Sequence, residues 1–127
     1  MIQQYYELFN EKQYTQMLEL LDDHVTHEVN QGKSEVGKDL FKKFMSIMEV
    51  HYDEHLKDIC IMISDDGRRG SAEFICEGTY LKTTPGLPEA RGQTYQIPVG
   101  CFFEFKGMKI SRITNYYNLN HWIDAIK

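Results

Sequence analysis

Apolar residues recur at helical spacing over the first third of the chain and at strand spacing over most of the rest. Ile2, Tyr5, Tyr6 and Phe9 share one helical face, and Asn10 is the expected stop. Tyr14, Met17, Leu18 and Leu21 form a second apolar stripe that Asp22-Asp23 should end. Val25 to Asn30 reads as a short strand and Gln31-Gly32-Lys33-Ser34 as a loop. Gly37-Lys38-Asp39 leads into a third helix, with Leu40, Phe41, Phe44, Met45 and Met48 on its apolar side and Tyr52-Asp53-Glu54 as its surface end.

Beyond that helix the pattern changes to strands. Leu56 to Ile63 is β-branched and apolar, and Ser64-Asp65-Asp66-Gly67 is a hairpin turn signal. Arg69 to Thr83 reads as a long strand, with Gly78 as a bend or bulge. Thr84 to Gly92 carries two of the three prolines and reads as a long loop able to cover a cavity mouth. Tyr95 to Phe105 and Lys109 to Tyr117 are two further strands joined at Lys106-Gly107, and Leu119 to Ile126 closes the chain as a short helix. Helices gathered before a run of strands predict an α+β domain. Strands this long for the chain predict a curved antiparallel sheet packed on three N-terminal helices, both facing one central pocket.

Composition narrows the partners. At 127 residues, with 42% hydrophobic and 26% charged residues, the chain is expected to form a single domain over 1–127 with a buried core. Net charge is -5, and the longest basic runs are the pairs Lys42-Lys43 and Arg68-Arg69, which argues against nucleic acid and against an anionic membrane. Gln, Tyr and Glu stand where a signal peptide would have a basic and then an apolar run. Cys60, Cys76 and Cys101 are odd in number and lack C-x-x-C spacing, so they read as reduced thiols in a cytoplasmic protein. His51 and His55 have the spacing of two metal ligands on a helix, but no third ligand accompanies them, and no metal is expected. Eight Tyr and seven Phe are enough to line an apolar cavity.

Four stretches carry a family resemblance: Tyr5-x-x-x-Phe9-Asn10, Leu20-Leu21-Asp22-Asp23-His24-Val25, the strand from Gly92 to Phe105, and Ile110 to Asn118. Through them the chain resembles the nuclear transport factor 2-like superfamily, and within it ketosteroid isomerase and the SnoaL-like polyketide cyclases. The resemblance implies a cone-shaped α+β fold, a homodimer through the sheet, no cofactor and an apolar small-molecule ligand. Ketosteroid isomerases use a helix Tyr and a protonated Asp as oxyanion donors and a strand Asp as base. By local alignment Tyr5 matches the donor Tyr and Glu28 the base, while Gly100 or Cys101 stands where the protonated Asp should be. The acid/base Asp of the cyclases is replaced by Asn at both candidate places, Asn115 and Asn118. The implied site therefore has Glu28 and Tyr5 as catalytic residues, with Asn30, His27, Cys101, Phe103, Asn115 and Tyr117 around the substrate. Strand alternation sets Thr26, Glu28 and Asn30 on one face and Val25, His27 and Val29 on the other, and a register shift of one residue exchanges Glu28 for His27. The function expected is a cofactor-independent isomerase or cyclase-like enzyme that takes a proton next to a carbonyl. The alternative is a non-catalytic binding protein of the same fold.

Overall fold

A computed structural model describes residues 1–127. The first helix, α1 (Ile2–Asn10), buries Ile2, Tyr5, Tyr6 and Leu8 on one side. Asn10 does more than end it. Its side-chain amide donates to the Leu56 carbonyl at 2.9 Å and accepts from the Leu56 N–H at 2.8 Å, as a neighbouring strand would. The second helix, α2 (Tyr14–Glu19), is shorter than the apolar stripe suggested. Leu21 joins the sheet instead, and Leu20 already accepts a backbone bond from Ile110 at 2.9 Å. Tertiary pairing here overrides a helical pattern only one turn long.

Strand β1 (Leu21–Val29) therefore begins four residues earlier than expected and runs through Asp22-Asp23. A two-residue edge strand, β2 (Glu35–Val36), follows. Helix α3 (Lys38–His51) starts after Gly37, whose φ of 116° is a conformation that a side chain would resist. It lays Phe41 and Met45 on the sheet. Strand β3 (Tyr52–Ile63) begins at the next residue, with no connecting loop. Tyr52-Asp53-Glu54 is thus strand and not a helix end, because these residues pair in register with Tyr80, Thr79 and Gly78.

Strands β4 (Arg69–Tyr80), β5 (Thr94–Lys106) and β6 (Lys109–Tyr117) complete one sheet in the order β2-β1-β6-β5-β4-β3. Every neighbouring pair is antiparallel except β1 with β6, which is parallel. The bulge expected at Gly78 is absent. The register of β3 on β4 shifts instead between Lys57 and Cys60, where Asp58 takes a φ of 55°. The sheet curls without closing, and its concave face holds the helices and the core. Leu21, Val25, Phe103, Ile110 and Ile113 are sealed there with Met17 of α2. Each such side chain contributes roughly 1.5–3 kcal/mol by leaving water. The last helix, α4 (Leu119–Ala125), is capped by Asn118, which accepts from the His121 N–H at 3.1 Å. Gln93 ties the 81–93 connection to the C-terminus by donating to the Ile126 carbonyl at 2.7 Å. No helix is long and apolar enough to cross a membrane.

Candidate active site

Between the concave face and α1, α3 and α4 lies a cavity of about 220 Å³. Aromatic and aliphatic side chains make most of its wall, including Tyr5, Phe41, Phe44, Met48, Phe74, Ile97 and Trp122. No Lys or Arg reaches it, and its carboxylates are Glu49 and Glu54.

Glu54 is the unusual group. Alternation along β3 turns Tyr52, Glu54 and Leu56 inward together, so a carboxyl group stands in a row of apolar side chains. Its Oε2 accepts the Tyr95 hydroxyl at 2.5 Å. Burial pushes the Glu54 carboxyl above its ordinary range, against hydrogen bonds from Tyr95 and Cys76 and the charge of Lys12, which pull the other way. The effect is mutual. Burial first, and then the Glu54 charge, push the ionisation of Tyr95 and Cys76 far upward, so both stay protonated as donors. Trp122 meets Tyr95 edge-on at 6.0 Å and Tyr117 at 6.2 Å, closing this end of the cavity. Burial pushes the Tyr117 phenol up to about 12.

The structure does not bring Glu28 and Tyr5 together. Tyr5 lines the cavity and is buried against Tyr6 and Phe103. Glu28 lies on the opposite, convex face, because Val25, His27 and Val29 take the inner positions of β1 as their hydrophobicity demands. There its Oε1 accepts the Thr114 hydroxyl at 2.9 Å. His27 does reach the cavity, edge-on to Phe41 at 4.9 Å and Phe44 at 4.6 Å, and burial lowers its pKa. Asn115 and Tyr117 also line it. Asn30 does not: its side-chain oxygen accepts the Tyr117 N–H at 2.8 Å, at the left-handed residue that ends β1. Cys101 and Phe103 are sealed in the core beside Tyr5 and Tyr6, and burial pushes the Cys101 thiol up to about 12. His51 ends α3 while His55 lies on β3, so helical spacing does not apply to the pair.

Glu54, Tyr95 and Cys76 were not singled out from the sequence. The legible signal is the alternation of Tyr52, Glu54 and Leu56, which the reading of Tyr52-Asp53-Glu54 as a helix end hides.

This fold defines the class, an α+β cone with a cavity between its curled sheet and its helices. The chain belongs to the SnoaL-like domain family, whose model matches residues 2–113. A "putative polyketide cyclase" from Pseudomonas putida KT2440 is 44% identical, with 99% of this chain and 95% of that one covered at a TM-score of 0.97. A protein of the same description from Xanthomonas campestris pv. campestris is 43% identical, with 99% and 93% covered at a TM-score of 0.96. A "putative isomerase" from Bacillus subtilis shares the fold at 19% identity and a TM-score of 0.81, over 98% of this chain and 88% of that one. No curated protein resembles the chain closely enough to count as a match.

Proposed function

We propose that the chain is a cofactor-independent enzyme that moves a proton next to a carbonyl of an apolar small molecule, with Glu54 as the acid/base. The observation that carries this is a cavity-lining carboxyl group, raised in pKa by burial and held by a phenol at 2.5 Å. A carboxylate of raised pKa is a stronger base than free glutamate, and its protonated form is the acid that returns the proton. Glu54 takes the proton from the carbon beside the carbonyl, and the C–H pair passes into the enolate. The enolate then recovers that proton at another carbon, as in an isomerase, or attacks a second carbonyl, whose C=O pair becomes an alkoxide that takes the proton back from Glu54, as in a cyclase. Tyr117 and Asn115 offer donors to the carbonyl oxygen from the facing wall. Relatives described as polyketide cyclases agree with this class of chemistry.

The test is exchange of the α-protons of 2-tetralone in D2O, followed by proton NMR. Wild type should accelerate it, Glu54→Gln should not, and Glu28→Gln should match wild type. Loss in Glu28→Gln with retention in Glu54→Gln would reverse the assignment. A second reading, a binding protein without chemistry, is favoured by the stretch that the resemblance gives to the second oxyanion donor, which offers only Gly100 or the buried thiol of Cys101. It predicts that 2-tetralone quenches the fluorescence of Trp122, the one tryptophan, with no exchange at any pH. We further propose a cytoplasmic homodimer that pairs through the convex sheet face.

A further inference from the structure

Glu54, Gly78 and Tyr95 stand in one row across three strands. Glu54 of β3 is opposite Gly78 of β4, and Gly78 is opposite Tyr95 of β5. Two strand spacings, about 9.6 Å, separate the backbones of Glu54 and Tyr95. The phenol bridges that gap by lying across the glycine.

Nothing in the backbone requires glycine at this place. Gly78 lies outside the left-handed region that five other glycines of the chain occupy, and the ladder passes through it without a bulge. A Cβ added at Gly78 would fall into the Tyr95 ring, overlapping Cζ, Cε2 and the hydroxyl oxygen. The ring is fixed on its other side, edge-on to Trp122. Gly100, on the neighbouring strand, makes the contrast: a Cβ there meets nothing within 4 Å.

We infer that Gly78 is a positioning residue, whose missing side chain is the space through which Tyr95 crosses β4 to hold the Glu54 carboxyl group at the cavity wall. Its consequence for catalysis rests on the proton-transfer reading above; its structural claim does not. Any larger residue at 78 lifts the phenol, and Glu54 loses its phenol donor while staying at the cavity wall.

The experiment is a carbon-13 NMR titration of the protein carrying [δ-13C]glutamate, with the Glu54 signal assigned by its absence in Glu54→Gln. A donor to the carboxylate lowers its pKa, so losing the donor raises it. Gly78→Ala and Tyr95→Phe should each move the Glu54 midpoint upward, and the double variant should move it no further than Tyr95→Phe does. A Gly78→Ala protein with wild-type circular dichroism and an unmoved midpoint would overturn the inference. Where Gly78→Ala does not fold, Gly78→Ala combined with Tyr95→Leu should fold and titrate as Tyr95→Leu alone. An unfolded double beside a folded Tyr95→Leu would show that the clash lies elsewhere and would equally overturn it. 2-Tetralone exchange in the same samples keeps the two claims apart. Absence of exchange in wild type counts against the enzyme reading, while the midpoints still report on Gly78.

Discussion

The Tyr95 hydroxyl donates to Glu54 from two strands away, over a residue that has no side chain. Neither partner has an ordinary environment. Burial favours the protonated acid, and the phenol favours the carboxylate. The outcome is a carboxyl group whose pKa is raised despite its phenol donor, on the wall of a cavity that no Lys or Arg lines.

This tension has a consequence for stability. The folded pKa of Glu54 lies above its ordinary value of 4.5. Between the two values the folded protein binds more protons than the unfolded chain, so stability falls as pH rises through that window. Glu54→Gln should remove this loss. Its melting temperature should equal that of wild type near pH 4 and exceed it at pH 8, as read by differential scanning calorimetry. A deficit at pH 8 would contradict the linkage.

Glu28 is expected to matter to the fold and not to the reaction. The Thr114 hydroxyl that it accepts belongs to a residue only 2% exposed. Glu28→Ala deprives that buried hydroxyl of its acceptor, at a cost of about 1–3 kcal/mol. Urea unfolding should show the loss, with 2-tetralone exchange unchanged in rate per folded molecule.

Asn10 pins α1 to β3 by giving Leu56 both halves of a strand partner. Asn10→Ala leaves a backbone N–H and a carbonyl unpaired at a mostly buried position. The expected cost is about 2 kcal/mol, visible as a lower urea midpoint with an unchanged slope. Asn10→Asp keeps only the accepting half and should fall between the two.

The convex face presents Phe102, 44% exposed, edge-on to Tyr116, 40% exposed, at 5.8 Å. Such a pair is the natural centre of the proposed sheet-to-sheet dimer. Phe102→Asp should turn a sedimenting dimer into a monomer with its helical and strand signals intact. A wild type that sediments as a monomer at high micromolar concentration would remove the proposal.

Where each element lies was largely readable along the chain, because helix and strand periods are local. The stripes of α1 and α3, the turn at Ser64-Asp65-Asp66-Gly67 and the final pair of strands follow from residues next to one another. The face of β1 divided the two kinds of reading: its valines named the buried side, whereas the family resemblance turned Glu28 toward the pocket, and hydrophobicity prevailed. The exact ends of elements depended on distant partners. Leu21 left a helical stripe to pair with Ile110, and Tyr52 left a helix end to pair with Tyr80, residues 89 and 28 positions away. The site depended on them most. Glu54, Gly78 and Tyr95 lie far apart in sequence and make one unit only because the register of two strand pairs aligns them. A glycine that looked like a local bend serves a contact across the sheet, and a carboxylate that looked solvated faces a cavity, since burial and pKa are set by neighbours that no local pattern contains.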